Sequence, residues 1–197
     1  SPSPAKSSGF VTFGATCDML VLTPEVIALY AEILKSAPNS RLCLGNVPQI
    51  TGSVQERILD QFKFLEVGDR ISFSNAGDHD LNPRIEFFDD IDVYLEGGRC
   101  PRPRSLAEAL WMGVPVVTLQ GNDRQSQIAA SILTAAARKD WIAKSNKTFV
   151  QICVKFSDDI KNLISVRDSL RDEVKQSDLF DAQGFTRAWE AALKEEH

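Results

Sequence analysis

Apolar residues along the chain alternate between short runs, typical of buried strands, and spacings of three or four residues, typical of helices. The stretch after Thr23 shows the helical spacing, because Val26, Tyr30 and Ile33 fall on one face. Thr23 is a suitable cap for this helix, and Pro24 suits its first position. The apolar runs predict strands at residues 9–14, 41–46, 71–75, 92–96, 114–119 and 141–144.

Helical spacing recurs between these runs and then fills the rest of the chain. It predicts further helices at 52–66, 82–89, 105–112 and 124–137, and from 146 onward with breaks near Asp158 and 177–181. Strands that alternate with helices indicate an α/β fold, a parallel sheet of about six strands with helices on both faces, followed by C-terminal helices. Ligands of such sheets bind beyond the carboxyl ends of the strands. The loops at 14–23, 45–52, 75–83, 96–105 and 119–125 are therefore the expected ligand site.

The pattern divides the chain into three parts. Residues 1–8 are rich in Ser and Pro and are predicted to be a disordered lead-in. Residues 9–145 form the predicted α/β lobe, and residues 146–197 form helices that pack on the same lobe. Since the chain starts at Ser1 and not at Met, we expect it to be a piece of a longer protein.

Composition narrows the function classes. The formal net charge is −5, which argues against a nucleic-acid partner, because such proteins usually carry a basic face. No apolar run approaches the roughly 20 residues that span a bilayer, and the amino terminus lacks the apolar core of a signal peptide. The chain is therefore expected to be cytoplasmic, without a membrane partner. With only two histidines in the chain, no metal site is expected.

The loop after the fourth strand carries the most distinctive charge pattern. Arg99, Arg102 and Arg104 immediately precede the helix expected to begin at Ser105. A helix amino terminus attracts anions, and arginines beside it strengthen that attraction for a phosphate. A solvated basic loop is the alternative interpretation. Glu108 has two interpretations as well, because Ser-x-x-Glu is also the pattern of a capping box.

At "EALWMGVPVVTL" (108–119) the chain resembles the O-linked N-acetylglucosamine transferases of glycosyltransferase family 41, including their SPINDLY-like members. "FVTFG", "SQIAASILTA" and the "LFD" turn near residue 180 extend the resemblance to about residues 9–194. The resemblance implies that the sheet is the Rossmann-like, doubly wound C-terminal lobe of a GT-B enzyme, which binds UDP-N-acetylglucosamine or another UDP-sugar without a metal or other cofactor. It also implies an N-terminal lobe, possibly TPR repeats, and a protein acceptor modified on Ser or Thr.

The resemblance also assigns candidate site residues. Glu108 matches the acid that the family uses on the ribose, and Ser105 keeps one hydroxyl of the family's diphosphate loop. Arg84 occupies the place of a nucleotide-binding histidine, while His79 lies in the same loop after the third strand. The nucleotide- and diphosphate-binding candidates are therefore Glu108, Ser105, Arg104, Arg102, Arg84, His79 and Asp18, and no catalytic residue is assigned.

Several positions depart from the family pattern. Asp18 and Val21 stand where the family has a Gln or Asn and a lysine that reaches the diphosphate, and Gln127 replaces an arginine beside Ser126. Three interpretations remain: an active lobe in which Arg102, Arg104 or Arg84 replaces the lysine, a degenerate regulatory lobe that binds nucleotide weakly, or a protein-interaction module that keeps only the fold.

Overall fold

A computed structural model of the chain describes residues 2–16, 22–45, 52–74, 83–97 and 102–195. Within these ranges the strands are β1 (Val11–Thr16), β2 (Ser40–Gly45), β3 (Ile71–Phe73), β4 (Val93–Glu96), β5 (Val116–Leu119) and β6 (Ile142–Ala143). They form one sheet in the order β3-β2-β1-β4-β5-β6, and every neighbouring pair is parallel. The strand order reverses direction between β1 and β4, as in doubly wound folds. The predicted fold class is confirmed.

The α-helices after residue 8 follow the predicted alternation, whereas the short helix within the predicted lead-in was not expected. The α-helices of the described residues are α1 (Ala5–Ser8), α2 (Pro24–Ser36), α3 (Gly52–Phe64), α4 (Pro83–Glu86), α5 (Pro103–Trp111), α6 (Arg124–Ala135), α7 (Asn146–Asp158), α8 (Ile160–Lys175) and α9 (Ala182–Glu195). Thr23 caps α2, since its side chain accepts the Val26 N–H, and Pro24 is the first helical residue. The breaks between α7, α8 and α9 fall where the sequence predicted them.

The central strands are largely apolar because both faces of the sheet are covered. All four residues of β4 are buried, and Phe13 of β1 and Val117 of β5 are inaccessible to solvent. In parallel sheets helices cover both faces, so the strands lack an alternating polar side. α7 packs on α2, and α8 packs on α5. Of the C-terminal helices, α7 and α8 therefore pack on the helices of the sheet.

The turn from α5 into β5 is set by Gly113. Its φ of 75° is left-handed, its N–H donates to the Leu110 carbonyl at 3.0 Å, and the Val114 N–H donates to the Ala109 carbonyl at 2.8 Å. This pair of hydrogen bonds is the Schellman motif that ends helices at glycine. A Cβ at Gly113 would also lie 2.8 Å from the Arg167 carbonyl oxygen. The turn in "WMGVP" therefore requires glycine for two reasons.

The segment at residues 1–8, predicted to be a disordered lead-in, is ordered over its described residues 2–8. Ser3 and Ala5 are buried, and both donate to the same carboxylate oxygen of Asp92, Ser3 through its hydroxyl and Ala5 through its N–H at 3.0 Å. The other oxygen of Asp92 accepts the Thr12 N–H at 2.9 Å. Composition alone did not reveal this anchor, because the acceptor lies more than 80 residues along the chain.

Arg167 of α8 approaches the same region from the other side. Its Nη1 donates to the Ile91 carbonyl at 2.8 Å and to the Asp92 carbonyl at 3.0 Å. Burial lowers the pKa of this guanidinium, while the charges of Asp92, Asp89 and Asp168 act in the opposite direction. Through Arg167, the start of β4 is tied to α8 as well as to the amino-terminal segment.

The anchor of the amino-terminal segment can be tested with two serines. We expect Ser3→Ala to lower the free energy of unfolding by about 1.5–3 kcal/mol, the usual cost of losing a buried hydrogen bond to a charged group. Ser7→Ala is the matched control: its hydroxyl donates to the Pro4 carbonyl in an exposed position, so its effect should stay within about 0.5 kcal/mol. Urea unfolding measures both, and equal effects would contradict the anchor.

Candidate functional site

The candidate site lies at the edge of the sheet where the parallel strands end. β1, β4 and β5 end side by side there, at Thr16, Glu96 and Leu119. The loops that follow β1, β2 and β4 lie mostly outside the described residues, at 17–21, 46–51 and 98–101. The geometry of the site therefore depends on the strand ends, the start of α5 and the turn from β5 into α6.

α5 begins two residues earlier than predicted, at Pro103 with Arg102 as the cap residue. Proline suits the first helical position because its fixed φ is helical and the N–H it lacks has no partner within the helix. Ser105 is consequently the third residue of α5 and is buried. The capping-box interpretation of Ser105 and Glu108 is therefore wrong, because it requires serine at the cap position.

Glu108 forms an ion pair on α5. Its Oε1 accepts a hydrogen bond from Arg104 Nε at 2.7 Å. The Glu108 side chain is 18% exposed, and the Arg104 side chain is 67% exposed. The other oxygen of Glu108, Oε2, is buried and has no hydrogen-bond partner among the described residues. Such an oxygen costs free energy unless a donor reaches it. Glu108 thus presents an unused acceptor on the helix that starts at the candidate site.

Glu96 is a second carboxyl group at this edge, and the sequence analysis missed it. It ends β4 and is 3% exposed, and its Oε2 accepts the Arg102 N–H at 3.5 Å. Burial raises the pKa of this carboxyl to about 8, against the smaller opposing effects of the Arg102 N–H and the Arg102 charge. The signal was present in "DVYLEGG", where one charged residue ends an apolar strand at the ligand edge.

Tyr30 of α2 holds the backbone just after β4. Its hydroxyl accepts the Gly97 N–H at 3.3 Å and donates to the Leu95 carbonyl at 3.4 Å. A Cβ at Gly97 would lie 3.1 Å from the Tyr30 ring, so the first glycine of "EGG" allows this close approach. The strand end that carries Glu96 is therefore pinned from α2.

In the turn from β5 into α6, the polar groups form hydrogen bonds with one another. The Asp123 carboxylate caps α6 by accepting the Ser126 N–H at 2.8 Å, and the Ser126 hydroxyl donates back to the Asp123 carbonyl at 2.9 Å. Ser126, which the family pattern retains, is buried by this arrangement. Its hydroxyl therefore acts as part of the cap.

The structure brings some of the candidate residues together and leaves others unplaced. Arg102, Arg104, Ser105 and Glu108 share the first two turns of α5 and its cap. Of Arg84 only the backbone is described, in α4 after β3. His79 and Asp18 lie outside the described residues, as does Val21. Asp18 and His79 thus remain predictions from the sequence.

Two general features of the described residues complete this picture. No group of three His, Cys, Asp or Glu side chains within them is arranged to hold a metal ion. None of their helices has the length and apolar character needed to cross a membrane.

Comparison with known proteins gives one family. The model of glycosyl transferase family 41 matches residues 8–189. The probable UDP-N-acetylglucosamine–peptide N-acetylglucosaminyltransferases SPINDLY of Arabidopsis thaliana and Hordeum vulgare are 31% and 30% identical to the chain, each over 200 residues and 98% of it. The match covers 21% and 20% of those proteins. The chain therefore spans about a fifth of the length of the curated relatives it matches.

Solved structures agree with this assignment. A mutant O-GlcNAc transferase of Thermobaculum terrenum superimposes with a TM-score of 0.83 at 28% identity, covering 99% of this chain and 37% of that one. Anabaena HepE, solved with UDP and glucose, has a TM-score of 0.61 at 15% identity, over 97% of this chain and 51% of its own, and supports the fold alone. The sheet is thus one Rossmann-like lobe of the GT-B type. Since the family model matches most of its length, the chain belongs to glycosyltransferase family 41.

Proposed function

We propose that this chain is the nucleotide-sugar-binding lobe of a protein O-GlcNAc transferase, which moves N-acetylglucosamine from UDP-N-acetylglucosamine to Ser or Thr of proteins. The observation that carries the proposal is the unused acceptor Oε2 of Glu108 on α5. The names of the SPINDLY relatives support the donor and the peptide acceptor. In the family pattern the lobe is the C-terminal half of the catalytic unit, and the acceptor half of the cleft belongs to a companion lobe.

Glu108 is suited to hold the ribose of the donor. A ribose presents vicinal hydroxyl donors, and a carboxylate oxygen is the stronger kind of acceptor for them. Arg104 keeps Glu108 oriented through Oε1, because its Nε lies 2.7 Å from that oxygen. A hydroxyl that reached Oε2 would satisfy the buried oxygen, so the interaction would cost the protein no further desolvation of this group.

The diphosphate is assigned to the start of α5. Pro103 lacks an N–H donor at the first helical position, so the backbone offers less to a phosphate than a loop of glycines and threonines would. The arginines therefore supply most of the attraction: Arg102 at the cap and the largely exposed Arg104, with Arg84 as a further candidate. They compensate for Val21, which stands at the family's lysine position.

The chemistry would be an in-line displacement. The acceptor hydroxyl oxygen loses its proton to water or to the departing UDP and forms a bond to the anomeric carbon as the bond from that carbon to UDP breaks, with inversion. UDP leaves with the electron pair, and its negative charge is stabilised by the arginines and the positive end of α5. The lobe also holds the donor in the orientation that the displacement needs. No metal or other cofactor takes part in this proposal.

A companion lobe has a candidate docking surface on α9. Phe185, Trp189 and Leu193 lie four residues apart on one face and are 69%, 59% and 49% exposed. The Phe185 and Trp189 rings stack on each other, with centroids 6.4 Å apart. Exposed apolar faces of this kind mark interaction sites. The relatives are about five times longer than this chain, so their remaining domains supply an occupant, and the companion lobe is the one we propose.

The alternative function, a protein-interaction module, is favoured by the same α9 face. It predicts that the fold and the exposed apolar surface suffice and that the donor site binds no nucleotide. Nucleotide binding therefore separates the two functions.

UDP should stabilise the chain, and two substitutions should distinguish its ribose contact from its phosphate contact. At ten times its Kd, UDP should add about 1.4 kcal/mol and raise Tm by roughly 3–6 °C. Glu108→Ala should weaken UDP and uridine alike, by roughly 10- to 100-fold, since a hydrogen bond to a charged group is lost from the ribose. Arg104→Ala should weaken UDP more than uridine, because only UDP carries phosphates.

Isothermal titration calorimetry with both ligands measures these differences. Lys63→Ala is the matched control: it removes another exposed ion pair, between Lys63 and Asp60 on α3 at 3.0 Å, and should bind UDP like the parent chain. Absence of any UDP effect at millimolar concentration would refute the donor site and leave the interaction module.

If α9 is the docking surface, replacement of Trp189 should affect stability differently in the 197-residue chain and in a longer protein. Trp189→Ser should change the stability of the 197-residue chain by less than about 0.5 kcal/mol, because the side chain is exposed. In a longer protein that contains the companion lobe it should cost roughly 3–5 kcal/mol, as for a large aromatic residue removed from a packed core. Phe64→Ser, at an exposed phenylalanine of α3, should be neutral in both. Denaturant unfolding measures each case, and a neutral Trp189→Ser in both proteins would contradict the docking surface.

A further inference from the structure

Glu96 connects the end of β4 to the start of α5. The carboxyl group lies at the last residue of the strand and accepts the N–H of Arg102, the cap residue of the helix, at 3.5 Å. The two residues flank the loop that carries the family's diphosphate position. A hydrogen bond between the residues before and after a loop fixes the positions of the two ends of the loop. The backbone at the start of α5 therefore depends on a side chain outside that helix.

The surroundings of Glu96 come from three elements. Thr118 of β5 donates through its hydroxyl to the Glu96 carbonyl at 3.4 Å. Tyr30 of α2 and Arg102 are the titratable and charged groups that face its carboxyl group. Burial, and next to it the charge of Glu96, raise the pKa of the Tyr30 hydroxyl, so Tyr30 is neutral and Arg102 is the nearby cation. The carboxyl group is thus enclosed on every described side at 3% exposure.

A group so enclosed is costly to ionise, because the charged form loses its hydration. The Glu96 pKa of about 8 means that the carboxyl is mostly protonated at neutral pH. A protonated carboxyl still accepts the Arg102 N–H through its carbonyl oxygen, and it adds no negative charge beside the arginines.

We propose that Glu96 is a positioning residue of the donor site, which fixes the start of α5 through the Arg102 N–H. The inference rests on the proposed function, since it assigns the diphosphate to this end of α5. It predicts a reciprocal coupling between the proton on Glu96 and the bound diphosphate. A bound anion favours the protonated carboxyl, so removal of that proton weakens anion binding. Affinity for UDP should therefore fall as the pH rises through the Glu96 pKa.

The test compares the parent chain with two variants by calorimetric titration of UDP between pH 7 and 9. This range lies above the second phosphate pKa of about 6, so the charge of the diphosphate changes little. If the diphosphate raises the carboxyl pKa by one unit, the parent chain should lose roughly fivefold in affinity across the range. Glu96→Gln keeps an acceptor for the Arg102 N–H but cannot ionise, so its affinity should not follow this pH dependence. Glu96→Ala should bind UDP more weakly than Glu96→Gln at every pH, because the acceptor itself is lost.

Stability without ligand supplies a second, independent measurement. A carboxyl with a raised pKa in the folded state binds its proton more tightly there than in the unfolded chain. The stability that this proton contributes is complete below the ordinary pKa of 4.5 and is lost as the pH rises to about 8. The Tm of the parent chain should therefore fall across this range more steeply than that of Glu96→Gln.

The matched control for the binding measurement is Glu173→Gln. Glu173 is an acid of α8 that pairs with Arg138 away from the site, so this variant should keep the parent pH dependence of UDP binding.

The outcomes are distinguishable. If UDP binds and Glu96→Gln keeps the parent pH dependence, or Glu96→Ala binds as well as Glu96→Gln, the positioning role is wrong and the proposed function stands. If the Tm difference between the parent chain and Glu96→Gln is present but UDP binds none of the proteins at any pH, the proposed function is wrong and the inference fails with it. Circular dichroism of each variant establishes that it is folded before either measurement.

Discussion

The buried carboxylate of Asp92 is the contact on which the start of the central strand β4 depends. A buried charge is tolerated only where donors replace the lost water, and Asp92 draws its donors from residues that are distant in sequence: Ser3, Ala5 and Thr12. Arg167 adds two hydrogen bonds to the backbone beside it. The amino-terminal segment, β1, β4 and α8 thus meet at one point. These contacts cover the amino end of the central strands. The loops of the candidate site follow the strands at the opposite end.

At that opposite end, two glutamates have different partners because their surroundings differ. Glu108 is partly exposed and has Arg104 at ion-pair distance, so one of its oxygens is engaged and the other is left as an acceptor. Glu96 is enclosed between β5, α2 and α5, and burial outweighs the influence of Arg102 on its pKa. One acid is therefore suited to bind a hydroxyl group of a ligand, and the other to hold backbone without adding charge.

The structure shows how the arginine-rich sequence before Ser105 is arranged at the start of α5. Pro103 does not interrupt the helix but begins it, and this moves Ser105 into the first turn and places Arg102 at the cap. Arg104 lies one turn before Glu108 and pairs with it. The start of α5 thus combines a helix amino terminus with the guanidinium groups of Arg102 and Arg104, where the family pattern has glycines and hydroxyls.

Local patterns in the sequence were enough for the strands, the order of helices, the Thr23 cap of α2 and the breaks between the C-terminal helices, because each depends on residues within a few positions of one another. They also placed Arg102, Arg104, Ser105 and Glu108 near one another, since these share a helix and its cap. Three features required the tertiary structure: the anchoring of Ser3 and Ala5 by Asp92, the pairing of Glu108 with Arg104 and not with a Ser105 cap, and the burial of Glu96. The first and third join residues from separate elements, and the second depends on where α5 begins. Burial and hydrogen bonding between distant segments are properties of the packed chain, so they decide which charged residues serve the fold and which are left to bind a ligand.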